Sequence, residues 1–151
     1  SENPNLFSRF TFVHRESGNG WFESIEDVLD HMLSKREEIN NLRGLYAQEM
    51  SKVENHLRSK LSTGSNATLE NLIDDAYKKE IIKIKLRRFL HSQRFRRNGI
   101  IHNDEEFCDT EKKWFVTYEE HSTKRIMKIY ENEFLKIRNE LADVVSQVMA
   151  L

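Results

Sequence analysis

The stretch that decides the fold class lies at residues 25–61 and reads IEDVLDHMLSKREEINNLRGLYAQEMSKVENHLRSKL. Its apolar residues recur at intervals of three and four, the spacing that places side chains on one face of a helix. Ser24, followed three residues later by Asp27, has the pattern of a helix N-cap. The stretch therefore predicts an amphipathic helix about 55 Å long, at ~1.5 Å per residue. Gly44 is the candidate position for a kink.

Two more helical patterns follow this stretch. Residues 62–66 read STGSN and predict a loop. Thr68 then caps a second helix, whose apolar residues continue to Leu90 and lead into the segment around residue 97. Thr117 with Glu120 has the pattern of a capping box, so we expect the last long helix to start there. Apolar residues then recur mostly at intervals of three and four almost to the C-terminus. They are Ile126, Tyr130, Phe134, Ile137, Leu141, Val144, Val145 and Val148.

Two short segments have a different period. Residues 9–14 read RFTFVH, in which the rings of Phe10, Phe12 and His14 occupy every second position. Residues 113–118 read KWFVTY and are rich in aromatic and β-branched residues. Both patterns predict strands, and we expect the two strands to pair with each other. Residues 103–111 are acidic and predict an irregular connection.

Together these patterns predict an all-α fold, an antiparallel bundle of three long helices plus a short connecting helix, with a small N-terminal β-hairpin or two-stranded extra. Residues 1–23 are expected to form the strand and turn segment that packs on the bundle. Residues 24–151 are expected to form the bundle itself. A length of 151 residues suits a single domain overall.

Composition excludes several classes of protein. The formal net charge is −1, so any attraction to nucleic acid must come from a local patch. Cys108 is the single cysteine, which excludes an intramolecular disulfide and a multi-cysteine metal site. No apolar run approaches the roughly 20 residues that span a bilayer. We therefore expect a cytoplasmic protein that does not associate with a membrane.

A short segment near the middle of the chain carries the residues of a candidate active site. Residues 97–102 read RNGIIH. Arg97 offers a fixed fork of donors to a phosphate, and His102 is the kind of side chain that exchanges protons near neutral pH. Asn98 can orient either the phosphate or the histidine. These are the kinds of side chain that cleave RNA by its own 2′-hydroxyl without a metal or another cofactor, and a two-fold dimer would supply a second histidine.

Residues 97–103, RNGIIHN, resemble the signature of the HEPN superfamily, an arginine and a polar residue followed by a histidine. The order of elements is also similar. The resemblance implies a helical bundle that forms a homodimer, with two copies of the motif at the interface acting as a metal-independent endoribonuclease. It assigns the catalytic positions to Arg97 and His102 and the polar position to Asn98. It further implies a toxin or phage-defence effector, with an antitoxin or a defence-system protein as partner. Gly99 departs from this pattern and is expected to weaken the helix.

A run of basic residues leads to this motif. Assigned to one helix, they form a stripe that would hold an RNA backbone, and the predicted RNA-binding residues are Lys79, Lys83, Arg87, His91, Arg94 and Arg96. The alternative is a solvated helix face whose cations pair with acids elsewhere, such as Asp104, Glu105 and Glu106.

The sequence thus predicts an endoribonuclease that acts on RNA as a dimer through Arg97, Asn98 and His102. The alternative function is a non-catalytic helical module that binds RNA or protein and dimerises. No histidine, cysteine and carboxylate spacing predicts a metal site.

Overall fold

The computed structural model describes residues 20–64 and 66–151, which form four helices and a three-stranded antiparallel sheet. The helices are α1 (Gly20–Leu61), α2 (Leu69–Lys78), α3 (Ile84–His102) and α4 (Phe134–Met149). The strands β1 (Glu106–Cys108), β2 (Lys113–Glu119) and β3 (Ile126–Tyr130) lie between α3 and α4. The protein is therefore mostly helical, as predicted, but it is not all-α.

The long helix predicted from residue 25 is α1. It begins upstream of Ser24, at Gly20, and continues through Gly44 as a single helix. Its C-terminal half supplies the centre of the core, because Leu42, Tyr46, Met50 and Leu57 are fully buried between α2, α3 and α4. In its N-terminal half, exposed side chains include Leu29 and Leu33.

The second predicted helix is interrupted, which corrects the expectation of one helix from Thr68 to the motif. Thr68 does cap α2, its Oγ1 accepting a hydrogen bond from the Asn71 N–H at 3.2 Å. The helix then ends at Lys78, and residues 79–83 connect it to α3. Glu80 adopts a left-handed φ of 58°, and the N–H groups of Glu80 and Ile81 donate to the carbonyls of Tyr77 and Ala76. This is a Schellman ending, and it turns the chain into α3.

The sheet replaces the first part of the predicted last helix. Residues 113–118 do form a strand, β2, which is central and pairs antiparallel with both β1 and β3. Thr117 lies inside this strand, so it does not cap a helix, and Ile126 and Tyr130 belong to β3. The last helix begins only at Phe134, after a 3₁₀ turn at Glu131–Glu133.

The acidic segment at residues 103–111 contains a strand. β1 lies in the acidic segment that was expected to be irregular, and Phe107 in it is buried against Trp114 of β2. The predicted partner of β2, residues 9–14, lies outside the described residues.

No helix in the described ranges 20–64 and 66–151 is long and apolar enough to cross a membrane.

Candidate active site

The motif occupies the last turns of α3. Arg97 is half-buried, whereas Asn98 and His102 are exposed. Asn98 and His102 are four residues apart, so they share one face of the helix. Arg97 and His102 are separated by about 140° around the helix and ~7.5 Å along it. One chain therefore presents one arginine and one histidine on well-separated faces of α3.

Gly99 allows α3 to approach the sheet more closely than any other residue would permit. A β-carbon at Gly99 would lie 2.3 Å from Cβ and 2.5 Å from Cα of Tyr118, and 2.4 Å from the carbonyl oxygen of Thr117. Because two of these atoms are backbone, no side-chain movement relieves the overlap. The helix continues through Gly99 to His102, so the glycine does not interrupt it. The glycine fixes the position of the motif against β2.

The C-terminal end of α3 is held from α1 by Arg43. Its Nε donates to the carbonyl of Ile100 at 2.9 Å, and one terminal nitrogen donates to the carbonyl of Asn103 at 2.9 Å. The same nitrogen contacts Glu105 at 2.9 Å. Burial opposes ionisation of Glu105, but the hydrogen bond from Arg43, a backbone hydrogen bond and the charges of Arg43 and Arg36 together lower the pKa of this carboxyl. Arg43 thus satisfies carbonyls on both sides of His102 that a helix end leaves without partners.

A second anchor joins the end of α3 to β2. The side-chain amide of Asn103 donates to the carbonyl oxygen of Thr117 at 2.8 Å and contacts its Oγ1 at 3.1 Å. The backbone around His102 is therefore fixed on two sides while the imidazole itself stays exposed. Such an arrangement is suited to presenting a proton-transfer group to a ligand.

Arg97 differs from the other arginines at this end of α3. Arg94 pairs with Glu70 at 3.3 Å, and Arg96 forms a short ion pair with Glu140. For Arg97, by contrast, no residue in the described part of the chain is an ion-pair partner. The buried Nε atoms of all three arginines lack a hydrogen-bond acceptor there, so the ion pair is what separates Arg97 from the other two. The two terminal nitrogens of Arg97, which are not among the buried unpaired atoms of the described residues, are thus the donors for an external anion such as a phosphate.

The predicted RNA-binding residues do not form one stripe. Lys79 and Lys83 flank the turn between α2 and α3, so only Arg87, His91, Arg94 and Arg96 lie on α3. All four of these contact acids. Arg87 and His91 both donate to Asp74, at 2.8 and 3.0 Å, and Arg94 and Arg96 pair with Glu70 and Glu140. The acids differ from Asp104, Glu105 and Glu106, which the sequence suggested.

His91 and His121 form a separate cluster away from the motif. His91 is 3% exposed, and its ring stacks on that of His121 with centroids 4.8 Å apart. Burial, the neighbouring His91, Lys124 and Arg94 lower the pKa of His121, and Glu70 acts in the opposite direction. His91 lies about 16 Å from His102 along the axis of α3, at ~1.5 Å per residue. This cluster therefore cannot supply a second proton-transfer group to the motif.

The supporting residues were not found from the sequence. Arg43 is 57 residues from Ile100 in the chain, so no local spacing links the two. Asn103 follows the motif directly, and its position just after a helix was the only available signal. Within the described residues, no group of three or more potential metal ligands is present, and Cys108 is a half-buried free thiol in β1.

Comparisons with known proteins do not extend this picture, because no family model, no curated protein and no solved structure matches the chain.

Proposed function

We propose that the protein is a metal-independent endoribonuclease that acts as a homodimer, with Arg97 and His102 as catalytic residues. The observation that carries the proposal is the contrast at the end of α3. An exposed His102 stands on a backbone held by Arg43 and Asn103, five residues after an arginine that has no acidic partner among the described residues. We further propose that the helices pack as the antiparallel bundle that the sequence predicts.

The reaction needs a base and an acid. The base removes the proton from the 2′-hydroxyl, whose oxygen attacks the adjacent phosphorus, and the acid protonates the 5′-oxygen as the P–O bond to it breaks. The products are a 2′,3′-cyclic phosphate and a 5′-hydroxyl. Each proton transfer by a positioned histidine contributes about 10²- to 10⁴-fold. Arg97 donates to the two non-bridging oxygens, where negative charge increases in the transition state.

One chain offers only one motif histidine, so the second proton-transfer group is assigned to a second copy. A two-fold dimer would place His102 and the partner's His102 on opposite sides of one phosphate, one as base and the other as acid. Two-fold pairing is the commonest symmetry of homo-oligomers. Asn98 shares a face with His102 and is assigned to orienting the imidazole or the phosphate.

Cleavage of mixed RNA in the presence of a chelator tests this proposal. The wild-type protein should produce cyclic phosphate ends, and His102→Ala should lower the rate by at least about 100-fold. His31→Ala is the matched control, because His31 is exposed on α1 and far from the motif in sequence. Equal rates in wild type and His102→Ala would show that the activity does not belong to this site.

The alternative, a non-catalytic module that binds RNA or protein, is favoured by one observation. The N-terminal half of α1 exposes Leu33 to 63% and Leu29 to 38%, and exposed apolar side chains on one helix are typical of a surface for a partner helix. If the protein cleaves nothing, this surface becomes the better guide to function. The main proposal includes a toxin or phage-defence role in the cytoplasm, with an antitoxin or a defence-system protein as partner. This part rests on the resemblance in the sequence.

A further inference from the structure

The helices α2 and α3 form a hairpin whose end lies away from the candidate active site. Arg87 of α3 pairs with Asp74 of α2 at 2.8 Å. Further along α3, Arg94 pairs at 3.3 Å with Glu70, which precedes Asp74 in the chain. The two helices therefore run antiparallel, and residues 79–83, which connect them, form the end of the hairpin.

The end of this hairpin carries many more cations than acids. Residues 78–88 contain six cations and one acid, Glu80. Within the described residues, two of the six have an acidic partner, Arg87 in Asp74 and Lys78 in Asp75 at 3.9 Å. The other four are exposed and have no ion-pair partner there; they are Lys79, Lys83, Lys85 and Arg88. This surface is therefore positive on a protein whose formal net charge is −1.

Two apolar side chains are exposed beside these cations. Ile84 and Phe89 are each 40% exposed. At ~100° per residue they lie about 140° apart around α3, and Lys85 and Arg88 lie between them. All four side chains therefore share one exposed face in the first two turns of the helix. Further along that face Gly99 is buried beneath β2, so the surface ends before the candidate active site.

A cationic surface with exposed apolar side chains fits the interface of an anionic bilayer. Cations are attracted to the lipid phosphates, while an aromatic ring and an aliphatic side chain enter the region beneath the headgroups. Three of the four unpaired cations are lysines, whose long apolar stems let the ammonium group reach the headgroups while the helix lies lower. The phosphate backbone of a nucleic acid would attract the cations equally but offers no apolar surface to Ile84. An acidic protein would need a pocket for each apolar side chain, whereas acyl chains adapt to any arrangement.

We propose that this surface, here called the hairpin tip and defined by Lys79, Lys83, Ile84, Lys85, Arg88 and Phe89, binds the anionic surface of a lipid bilayer. The two apolar side chains enter the headgroup region, and the cations lie among the phosphates. Such a peripheral contact needs no spanning helix, so it is compatible with the lack of one among the described helices. It revises the expectation of no membrane association, which followed from the lack of a long apolar run. The hairpin tip does not depend on the proposed function.

Co-sedimentation with lipid vesicles in about 0.1 M salt tests the proposal. The wild-type protein should bind vesicles of phosphatidylcholine with about 30% phosphatidylserine at least 30-fold more tightly than vesicles of phosphatidylcholine alone. Lys85→Gln/Arg88→Gln should weaken binding to the anionic vesicles about 30-fold, at about fivefold per cation. The matched control is Lys52→Gln/Lys136→Gln, which changes the net charge equally at exposed positions on α1 and α4 and should cost about twofold at most.

A second variant tests the apolar part of the contact. Ile84→Ala/Phe89→Ala keeps every charge and should weaken binding to the anionic vesicles about tenfold, because the contact with the acyl chains is lost. Circular dichroism verifies that each variant is folded.

Four results would overturn the proposal. They are equal affinity of the wild type for both kinds of vesicle, no sedimentation with either, equal losses in the Lys85→Gln/Arg88→Gln and control variants, and unchanged binding of Ile84→Ala/Phe89→Ala. Vesicle binding that survives Lys85→Gln/Arg88→Gln, with binding of a labelled RNA lost in the same variant, would assign the surface to nucleic acid and also overturn it.

Discussion

At the residue scale, Gly99 is the position with the least freedom. The backbone of β2 passes so close that a β-carbon would overlap Thr117 and Tyr118 at 2.3–2.5 Å. The motif is thereby fixed at a definite depth against the sheet. From the sequence alone, the same glycine was expected only to weaken the helix. The close approach of β2 could not be predicted, because it depends on contacts between distant parts of the chain.

We predict that Gly99→Ala destabilises the protein by about 2 kcal/mol. Overlap with backbone atoms at 2.4–2.5 Å places the cost of overpacking near the upper end of about 1–3 kcal/mol, and the gain of ~1 kcal/mol in helix propensity offsets only part of it. The midpoint of thermal unfolding should fall by about 4–8 °C. Gly44→Ala is the matched control. Gly44 is exposed in α1 with nothing within 4 Å of an added β-carbon, so alanine there should stabilise by up to ~1 kcal/mol. Equal shifts of the same sign in the two variants would contradict the close approach.

Arg43 provides a second prediction at this scale. Arg43→Met removes the donors to Ile100 and Asn103 and should reduce kcat about tenfold or more with little change in KM, because the end of α3 loses its position while RNA binding persists. Arg36→Met is the control, since Arg36 contacts the same Glu105 at 3.1 Å but is not an anchor of α3. Hydrogen exchange should show faster opening of the last turn of α3 in Arg43→Met alone. A similar effect of both variants on kcat would mean that only the charge of Glu105 matters.

At the scale of elements, the apolar period of α1 was sufficient to predict a long helix, and aromatic and β-branched residues were sufficient to predict β2. The break between α2 and α3 was not predictable in the same way. A Schellman ending normally has glycine at the left-handed position, but Glu80 stands there with a φ of 58°. The Thr117 and Glu120 pattern was misleading because pairing with β1 and β3 outweighs a local capping preference.

The contact between α3 and the β2–β3 turn should depend on pH. The pKa of His121 is lowered by burial and by His91, Lys124 and Arg94, so the unfolded chain takes up a proton first as the pH falls through the ordinary value of about 6.5. The contribution of His121 to the free energy of unfolding is therefore fully present above that pH and is lost as the pH falls below it. Asp74, whose pKa is lowered by His91 and Arg87 despite burial, becomes relevant only at more acidic pH.

We expect the unfolding midpoint of the wild type to decrease between about pH 7.5 and pH 5, and to decrease less in His121→Phe, which keeps a ring against His91 without a titrating group. His31→Gln removes an exposed histidine and should leave the pH dependence unchanged. Thermal unfolding at several pH values measures this. An identical slope in wild type and His121→Phe would refute the role of His121.

At the scale of the whole molecule, the residues of the candidate site were predictable and their environment was not. Arg97, Asn98 and His102 are recognisable because their chemistry lies within six residues of sequence. The pairing of Arg94 with Glu70 and of Arg96 with Glu140, and the absence of such a partner for Arg97 among the described residues, depend on which helices meet. Periodicity within one helix contains no information on that question.

A dimeric site makes a quantitative prediction about mixtures. If both histidines act on one phosphate, a heterodimer of wild type and His102→Ala is inactive. After subunit exchange at equal amounts, the cleavage rate per wild-type chain should fall to about half, because only wild-type pairs cleave. An equal amount of His31→Ala should leave the rate per motif unchanged. An unchanged rate with His102→Ala would mean that each chain cleaves alone.

The most direct test of the central claim is the distance between the two copies of residue 102. A spin label on His102→Cys, in a chain that also carries Cys108→Ser, reports this distance by pulsed electron paramagnetic resonance. We predict a narrow distribution below about 20 Å between labels, since both histidines must come within hydrogen-bonding reach of a single phosphate group. A separation of several tens of ångströms, or no dipolar coupling at concentrations at which the RNA is cleaved, would contradict the account.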